Sequence, residues 1–205
     1  SAHQSASTLI KDGQFKGLTL RELYKQERAL FGWLEKEEFP ILVKVIDAKE
    51  DLSVQVHPND EYALKKDNFL GKDECWYILD CEIEANIIIG HRAKTFAELK
   101  EKVENKDYDN LLNAFKIKPA DYFYLPSGKV HAICRGTTLL EVSQSSDLTF
   151  RLYDYDRLDN GKLRELHIED SLAVIDVPDK PLKKEHLDKY FHFQVKENKG
   201  VERFK

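Results

Sequence analysis

The 205-residue chain contains no methionine and only three cysteines. The missing start methionine predicts that this sequence is a processed chain or a piece of a longer protein. Cys75, Cys81 and Cys134 form no CxxC pair, and an odd number of cysteines cannot pair completely. This pattern favours a reduced, cytoplasmic compartment over a disulfide-stapled secreted domain.

Long apolar runs and an excess of basic charge are also missing. Apolar runs such as residues 87–89 are far too short to span a membrane, and the opening SAHQSAS has no feature of a secretory signal. The formal net charge of -5 argues against a nucleic-acid partner. The motifs GxGxxG, GxxxxGKS/T and GxSxG are absent, so nucleotide-binding and serine-hydrolase functions lack support. We expect neither a membrane nor a nucleic acid as partner.

Most of the sequence consists of short strand patterns that are separated by turn signals such as PSG and NG. Strands are predicted over residues 39–48, 52–57, 74–81, 85–90, 122–125, 130–134, 138–143, 148–155 and within 189–205. Helices are predicted over residues 19–31, 59–66, 95–105, 107–115 and 166–175, the first and third with capping-box patterns. The class is therefore mainly β, an antiparallel barrel or sandwich with inserted α-helices.

One of these strands, residues 52–57, carries a polar face. Alternation places Ser53, Gln55 and His57 on one side of the strand, with Val54 and Val56 on the other. The apolar side can cover a core, while a hydroxyl, an amide and an imidazole side by side suit a polar cavity. A solvated strand face with an incidental histidine fits the segment equally well.

Two further segments add potential metal ligands. Glu74 opens an apolar strand, and Lys72 shares its face if the chain is already extended there. His131 lies in a hairpin after a Pro-Ser-Gly turn. Taken alone, Glu74 and His131 each have an ordinary structural explanation. Together with His57, they supply two imidazoles and one carboxylate, all on predicted strands. Such a set can hold catalytic zinc with an open position, or non-haem iron.

Arg151 is a permanent cation within the strand pattern SSDLTFRLYDYDR. If it faces the cavity, it can stabilise an oxyanion or bind a phosphate in bidentate fashion. The alternative is a structural ion-pair network with Asp147, Asp154 or Asp156. Lys72 and Arg151 are the best candidates for making this acidic chain attractive to an anion.

Six strings together resemble the type I mannose-6-phosphate isomerases, in the short form typical of Gram-positive bacteria. They are SAHQ (1–4), FPILVKVIDAKEDLSVQVHP (39–58), GKDECWYIL (71–79), IKPADYFYLPSGKVHAI (117–133), SSDLTFRLYDYDR (145–157) and RELH (164–167). The resemblance extends over nearly the whole chain to about residue 180. Family members extend further at both ends.

The resemblance implies a cupin fold, a jelly-roll barrel, with one zinc ion per chain. It places the family's metal ligands on His57, Glu74 and His131, and Gln55 matches a fourth ligand position that many relatives share but some short-form members do not. The implied reaction interconverts mannose 6-phosphate and fructose 6-phosphate through a cis-enediol. A cupin dioxygenase that uses iron, or a non-catalytic sugar-phosphate-binding cupin, is the alternative.

The same resemblance places the catalytic arginine on Arg151 and a lysine considered for proton transfer on Lys72. Substrate phosphate needs cationic or hydroxyl donors, for which Ser53 and Arg151 are candidates. We expect a catalytic cupin domain over residues 1–180, with helical insertions at about 91–116 and 166–176. Residues 181–205 would begin a C-terminal β region. A small-molecule sugar phosphate is the expected partner, and a monomer or weak homodimer the expected assembly.

Overall fold

The computed structural model describes residues 7–67 and 69–182. Its strands are β1 (Ile41–Ala48), β2 (Val54–Val56), β3 (Glu74–Cys81), β4 (Asn86–His91), β5 (Leu112–Lys116), β6 (Tyr122–Leu125), β7 (His131–Ile133), β8 (Thr137–Gln144), β9 (Phe150–Tyr153), β10 (Leu158–Asp159) and β11 (Lys162–Leu163). Its helices are α1 (Leu20–Gln26), α2 (Asp60–Asp67), α3 (Phe96–Glu104), α4 (Tyr108–Leu111) and α5 (Ile168–Val174), with a 3₁₀ turn at Arg28–Phe31.

Two antiparallel sheets form the body of the fold. One has the strand order β1-β8-β3-β6, and the other has the order β5-β4-β7-β2-β9. Between these sheets, no hydrogen-bonded ladder closes a barrel within the described part of the chain. The prediction of a mainly β, antiparallel fold with inserted helices is confirmed, in the form of two facing sheets.

Two apolar clusters hold the layers together. The first lies between the sheets and includes Trp76 and Ile78 of β3 with Ile87 and Ile89 of β4. The second lies on the outer side of the five-stranded sheet. It includes Val54 and Val56 of β2, which pack with residues of α3, α4 and β9. The alternation along β2 therefore directs the two valines towards the helices, and leaves the intervening side chain to face the opposite sheet.

The first predicted helix is divided in the structure. Thr19 and Glu22 form the complete capping box at the start of α1. The helix ends at Gln26 because Glu27 leaves helical backbone angles, with φ -122° and ψ 57°. A 3₁₀ turn follows and ends at Gly32 in the left-handed region, with φ 68°. The capping box was predicted correctly, but the single helix over residues 19–31 was not.

The helix predicted over residues 107–115 is wrong over its second half. Only α4 is helical there, and the chain continues directly into β5, which pairs with β4 through Ile87 and Phe115. Pairing with an available sheet edge outweighs the weak local helical preference of this polar segment.

At α3, Thr95 caps the helix by accepting from the Glu98 amide, at 3.2 Å. The Glu98 carboxylate instead accepts from the Lys94 amide, so only half of that capping box forms.

Two predictions concern the end of the chain. The strand expected within residues 189–205, and with it the predicted C-terminal β region, lies outside the described residues. The described helices include none with the length and apolar character needed to cross a bilayer.

Candidate metal centre

Adjacent strands bring the predicted site residues together on the inner faces of the two sheets. In one sheet, Gln55 of β2 is the register partner of both His131 on β7 and Arg151 on β9. Register partners project to the same face, so these three side chains form one row. Glu74, at the start of β3, faces them from the opposite sheet. His57 follows β2 directly, so its position is set by the same strand as Gln55.

His57, Glu74 and His131 converge in the buried space between the sheets. Their potential ligand atoms all lie within 4.8 Å of one another. His57 Nε2 is 3.2 Å from Glu74 Oε1, and His131 Nε2 is 3.6 Å from Glu74 Oε2. All three side chains are at most 2% exposed. Residue patterns alone could not show this convergence, because the residues are up to 74 positions apart; the family resemblance implied it.

The two imidazoles are oriented by backbone carbonyls. His57 Nδ1 lies 2.9 Å from the Leu148 carbonyl oxygen, and His131 Nδ1 lies 2.8 Å from that of Lys129. Because a carbonyl can only accept, we infer that each neutral ring carries its proton on Nδ1. Each Nε2 then turns a lone pair towards Glu74. This is the arrangement found behind metal-binding histidines, whose second nitrogen donates to an outer group.

Glu74 brings a buried negative charge to this cluster. Burial alone would raise the pKa of Glu74, but His57, when its ring is protonated, and the Lys72 ammonium outweigh burial and hold that pKa well below its ordinary value. Its Oε1 accepts from the Lys72 ammonium, whereas its Oε2 is buried without a hydrogen-bond partner among the described residues. An unsatisfied carboxylate oxygen facing an imidazole lone pair fits a cation, and the N, O, N donor set suits zinc.

Burial also sets the charge state of His131. It lowers the pKa of His131 to about 4, despite the opposing effect of Glu74. The ring is therefore neutral at pH 7, with Glu74 ionised. This is the protonation state that metal binding requires of both ligand types.

Lys72 lies in direct contact with the ligand cluster. Besides Glu74, its Nζ is 3.4 Å from His57 Nε2 and 3.8 Å from Glu141 Oε1. Burial would lower the pKa of Lys72, but the carboxylates of Glu74 and Glu141 outweigh it and raise that pKa. The predicted shared face of Lys72 and Glu74 is thus present, with the lysine charged.

Arg151 lies at one end of this row, and Ser53 lies beside Gln55 along the same strand segment. The Arg151 guanidinium donates to the Glu165 carbonyl at 3.0 Å, and no carboxylate of the described residues forms a salt bridge with it. Of its predicted alternative partners, Asp154 pairs instead with Arg157 and Arg164. Burial and the neighbouring Arg164 lower the pKa of Arg151. Ser53 is 8% exposed, and its hydroxyl lies 3.4 Å from Gln55 Oε1.

Glu141 is a site residue that the sequence analysis missed. It is 3% exposed and accepts from Lys44 Nζ at 2.9 Å. It pairs in register with Trp76, two residues beyond Glu74, so it faces the same interior. A carboxylate at an inward position of the alternating strand TTLLEVSQ was the available signal.

Comparisons with known proteins bear on this geometry. The family model "Phosphomannose isomerase type I, catalytic domain" matches residues 1–82. The mannose-6-phosphate isomerase ManA of Bacillus subtilis is 54% identical over 183 residues, 88% of this chain and 58% of its own length. A crystal structure of mannose 6-phosphate isomerase from Bacillus subtilis has a TM-score of 0.86 at 44% identity, over 98% of this chain and 62% of that one. The resemblance to the type I phosphomannose isomerases is confirmed.

The structural match also confirms the predicted cupin fold. A zinc-bound mannose 6-phosphate isomerase structure shares that fold, with a TM-score of 0.63 at 18% identity over 88% of this chain and 66% of that one. The chain spans less than two thirds of the length of ManA, at 58%.

Proposed function

We propose that this chain carries the catalytic centre of a zinc-dependent isomerase that interconverts mannose 6-phosphate and fructose 6-phosphate. One observation supports this most strongly: a buried carboxylate oxygen without a hydrogen-bond partner meets imidazoles whose other nitrogens are fixed by carbonyls. The names of the similar proteins supply the substrate, which the geometry alone does not specify.

His57, Glu74 and His131 would hold one zinc ion, with Gln55 as the candidate fourth ligand. The Gln55 amide nitrogen lies 3.4 Å from His131 Nε2, so the side chain reaches the cluster. Bound zinc would supply Lewis-acid polarisation of the substrate's carbonyl and hydroxyl oxygens. The zinc-bound structure with the same fold is consistent with this choice.

Lys72 and Arg151 would handle charge and protons. Aldose–ketose isomerisation moves a proton between C1 and C2 through a cis-enediol, and negative charge develops on oxygen. Lys72, held as an ammonium by Glu74 and Glu141, is suited to donate a proton or stabilise that charge. Arg151, which has no carboxylate partner among the described residues, can face the enediolate or the phosphate. The hydroxyl of Ser53 is a further candidate phosphate donor.

A coupled assay of mannose 6-phosphate conversion tests this function, using zinc-loaded chain and the same chain treated with chelator. We expect turnover that chelator abolishes and zinc restores. Absence of turnover in a zinc-loaded, full-length protein would refute the isomerase. Sugar-phosphate binding without conversion would support the binding-protein alternative, and oxygen consumption with iron would support a dioxygenase.

Four further expectations stay predictions. They are the number of zinc ions per chain, the domain boundary near residue 180, the monomeric or weakly dimeric state and the cytoplasmic location.

A further inference from the structure

A buried ion pair lies behind the metal centre and belongs to neither the donor set nor the substrate residues. Lys129 Nζ donates to Asp179 Oδ1 at 2.6 Å, with the two side chains 3% and 14% exposed. The same ammonium also donates to the Lys180 carbonyl. A lysine is almost never fully buried without a specific partner, so this position constrains both segments.

Asp179 and Lys180 belong to a segment after α5, residues 176–180, which we call the strap. The Asp176 amide donates to the Gly128 carbonyl at 3.0 Å, and His91 Nε2 donates to the Asp176 carbonyl at 2.9 Å. Asp179 lies over Gly90, where an added Cβ would come within 2.1 Å of its carboxylate oxygen. The strap is thus fitted against the loop that precedes β7.

That loop holds both histidines of the metal centre. The Gly128 amide donates to the His57 carbonyl at 2.8 Å. The carbonyl of Lys129, the residue whose side chain binds the strap, accepts from His131 Nδ1 at 2.8 Å. Lys129 therefore connects the strap to the proton that fixes the His131 tautomer. Its amide is held in a turn by the Pro126 carbonyl, at 3.1 Å.

We infer that the Lys129–Asp179 pair is a positioning device for the metal centre. It anchors Lys129 so that its carbonyl holds His131 with Nε2 directed towards Glu74. This inference rests on the proposed zinc function and deepens it. Outer groups that orient a metal-binding histidine typically contribute about 10–100-fold to metal affinity. The substitutions leave the main-chain carbonyl itself present and only loosen its anchoring, so we expect a loss near the lower end, about 10-fold.

The experiment compares zinc affinity in Lys129→Met, Asp179→Asn and the double variant, measured by competition with a chromophoric chelator. Methionine keeps most of the lysine stem, and asparagine keeps the shape of the aspartate. Lys180→Met is the matched control. The Lys180 side chain is 75% exposed, and its ammonium pairs with Asp176 of the same strap at 2.9 Å. The absorption spectrum of the cobalt-substituted protein reports the ligand geometry independently of activity.

We expect each single variant to bind zinc about 10-fold more weakly, with an altered cobalt spectrum, while Lys180→Met matches the parent. If the two residues act as a unit, the double variant should lose no more than either single variant. Should Lys129→Met not fold, Asp179→Asn carries the test. Lower thermal stability with unchanged zinc affinity and an unchanged spectrum would overturn the inference and leave the proposed function standing. A parent chain that binds no zinc would overturn both.

Discussion

Glu74→Gln is the substitution that tests the electrostatics of the centre most directly. In chelator-treated protein it removes the carboxylate charge and leaves the Lys72 ammonium buried, since the two side chains are 0% and 5% exposed. Breaking a buried pair on one side costs about 3–5 kcal/mol, and Glu141, whose Oε1 lies 3.8 Å from Lys72 Nζ, compensates only part of the charge that remains. For a domain of this size, each kcal/mol lowers the melting temperature by about 2–4 °C. We therefore expect a decrease of roughly 6–20 °C.

Thermal unfolding followed by circular dichroism measures this effect. Replacing both partners, Lys72→Met with Glu74→Gln, should recover most of the loss because no unpaired charge remains. Glu61→Gln is the matched control. It breaks a pair with Lys65 in which both side chains are 75% exposed, so we expect a melting temperature near that of the parent. If Glu74→Gln unfolds at the parent temperature, the carboxylate does not hold Lys72 as an ammonium, and the electrostatic argument fails.

Three further predictions concern zinc content, turnover and pH. His131→Ala should weaken zinc binding by more than about 100-fold in chelator competition, since changes outside the ligand set already cost 10–100-fold; stoichiometric zinc in the variant would remove His131 from the ligands. Arg151→Ala should lower turnover by about 100–1,000-fold with zinc content intact, and zinc loss would make Arg151 a structural residue instead. In chelator-treated protein, the free energy of unfolding should fall as pH decreases from 6.5 towards 4, because the unfolded chain binds a proton at His131 first. Urea titrations at several pH values measure this fall. If the free energy of unfolding of His131→Asn fell with pH as steeply as that of the parent, the fall would not come from His131.

Local patterns were sufficient for much of the framework. Strict alternation placed Ser53, Gln55 and His57 on one strand face, and the capping box at Thr19 and Glu22 fixed the start of α1. Both features depend on interactions within a few residues. The error at residues 107–115 arose because pairing of β5 with β4, a contact between segments far apart in the chain, decided the conformation there.

The sequence by itself determined the types of ligand, their placement on strands and the family resemblance. The residue patterns left open whether His57, Glu74 and His131 meet, since each also had an ordinary structural explanation, and the resemblance only implied that they do. Only the tertiary structure decided that, because the packing of two sheets removes the three groups from water and aims their free atoms at one point. It also revealed Glu141 and the Lys129–Asp179 pair, whose roles depend on burial and on neighbours across the fold. The physical reason is the same for all of them. The free-energy cost of burying a charged or polar group depends on the protein groups that replace its hydrating water, and the packing of the fold determines which groups those are.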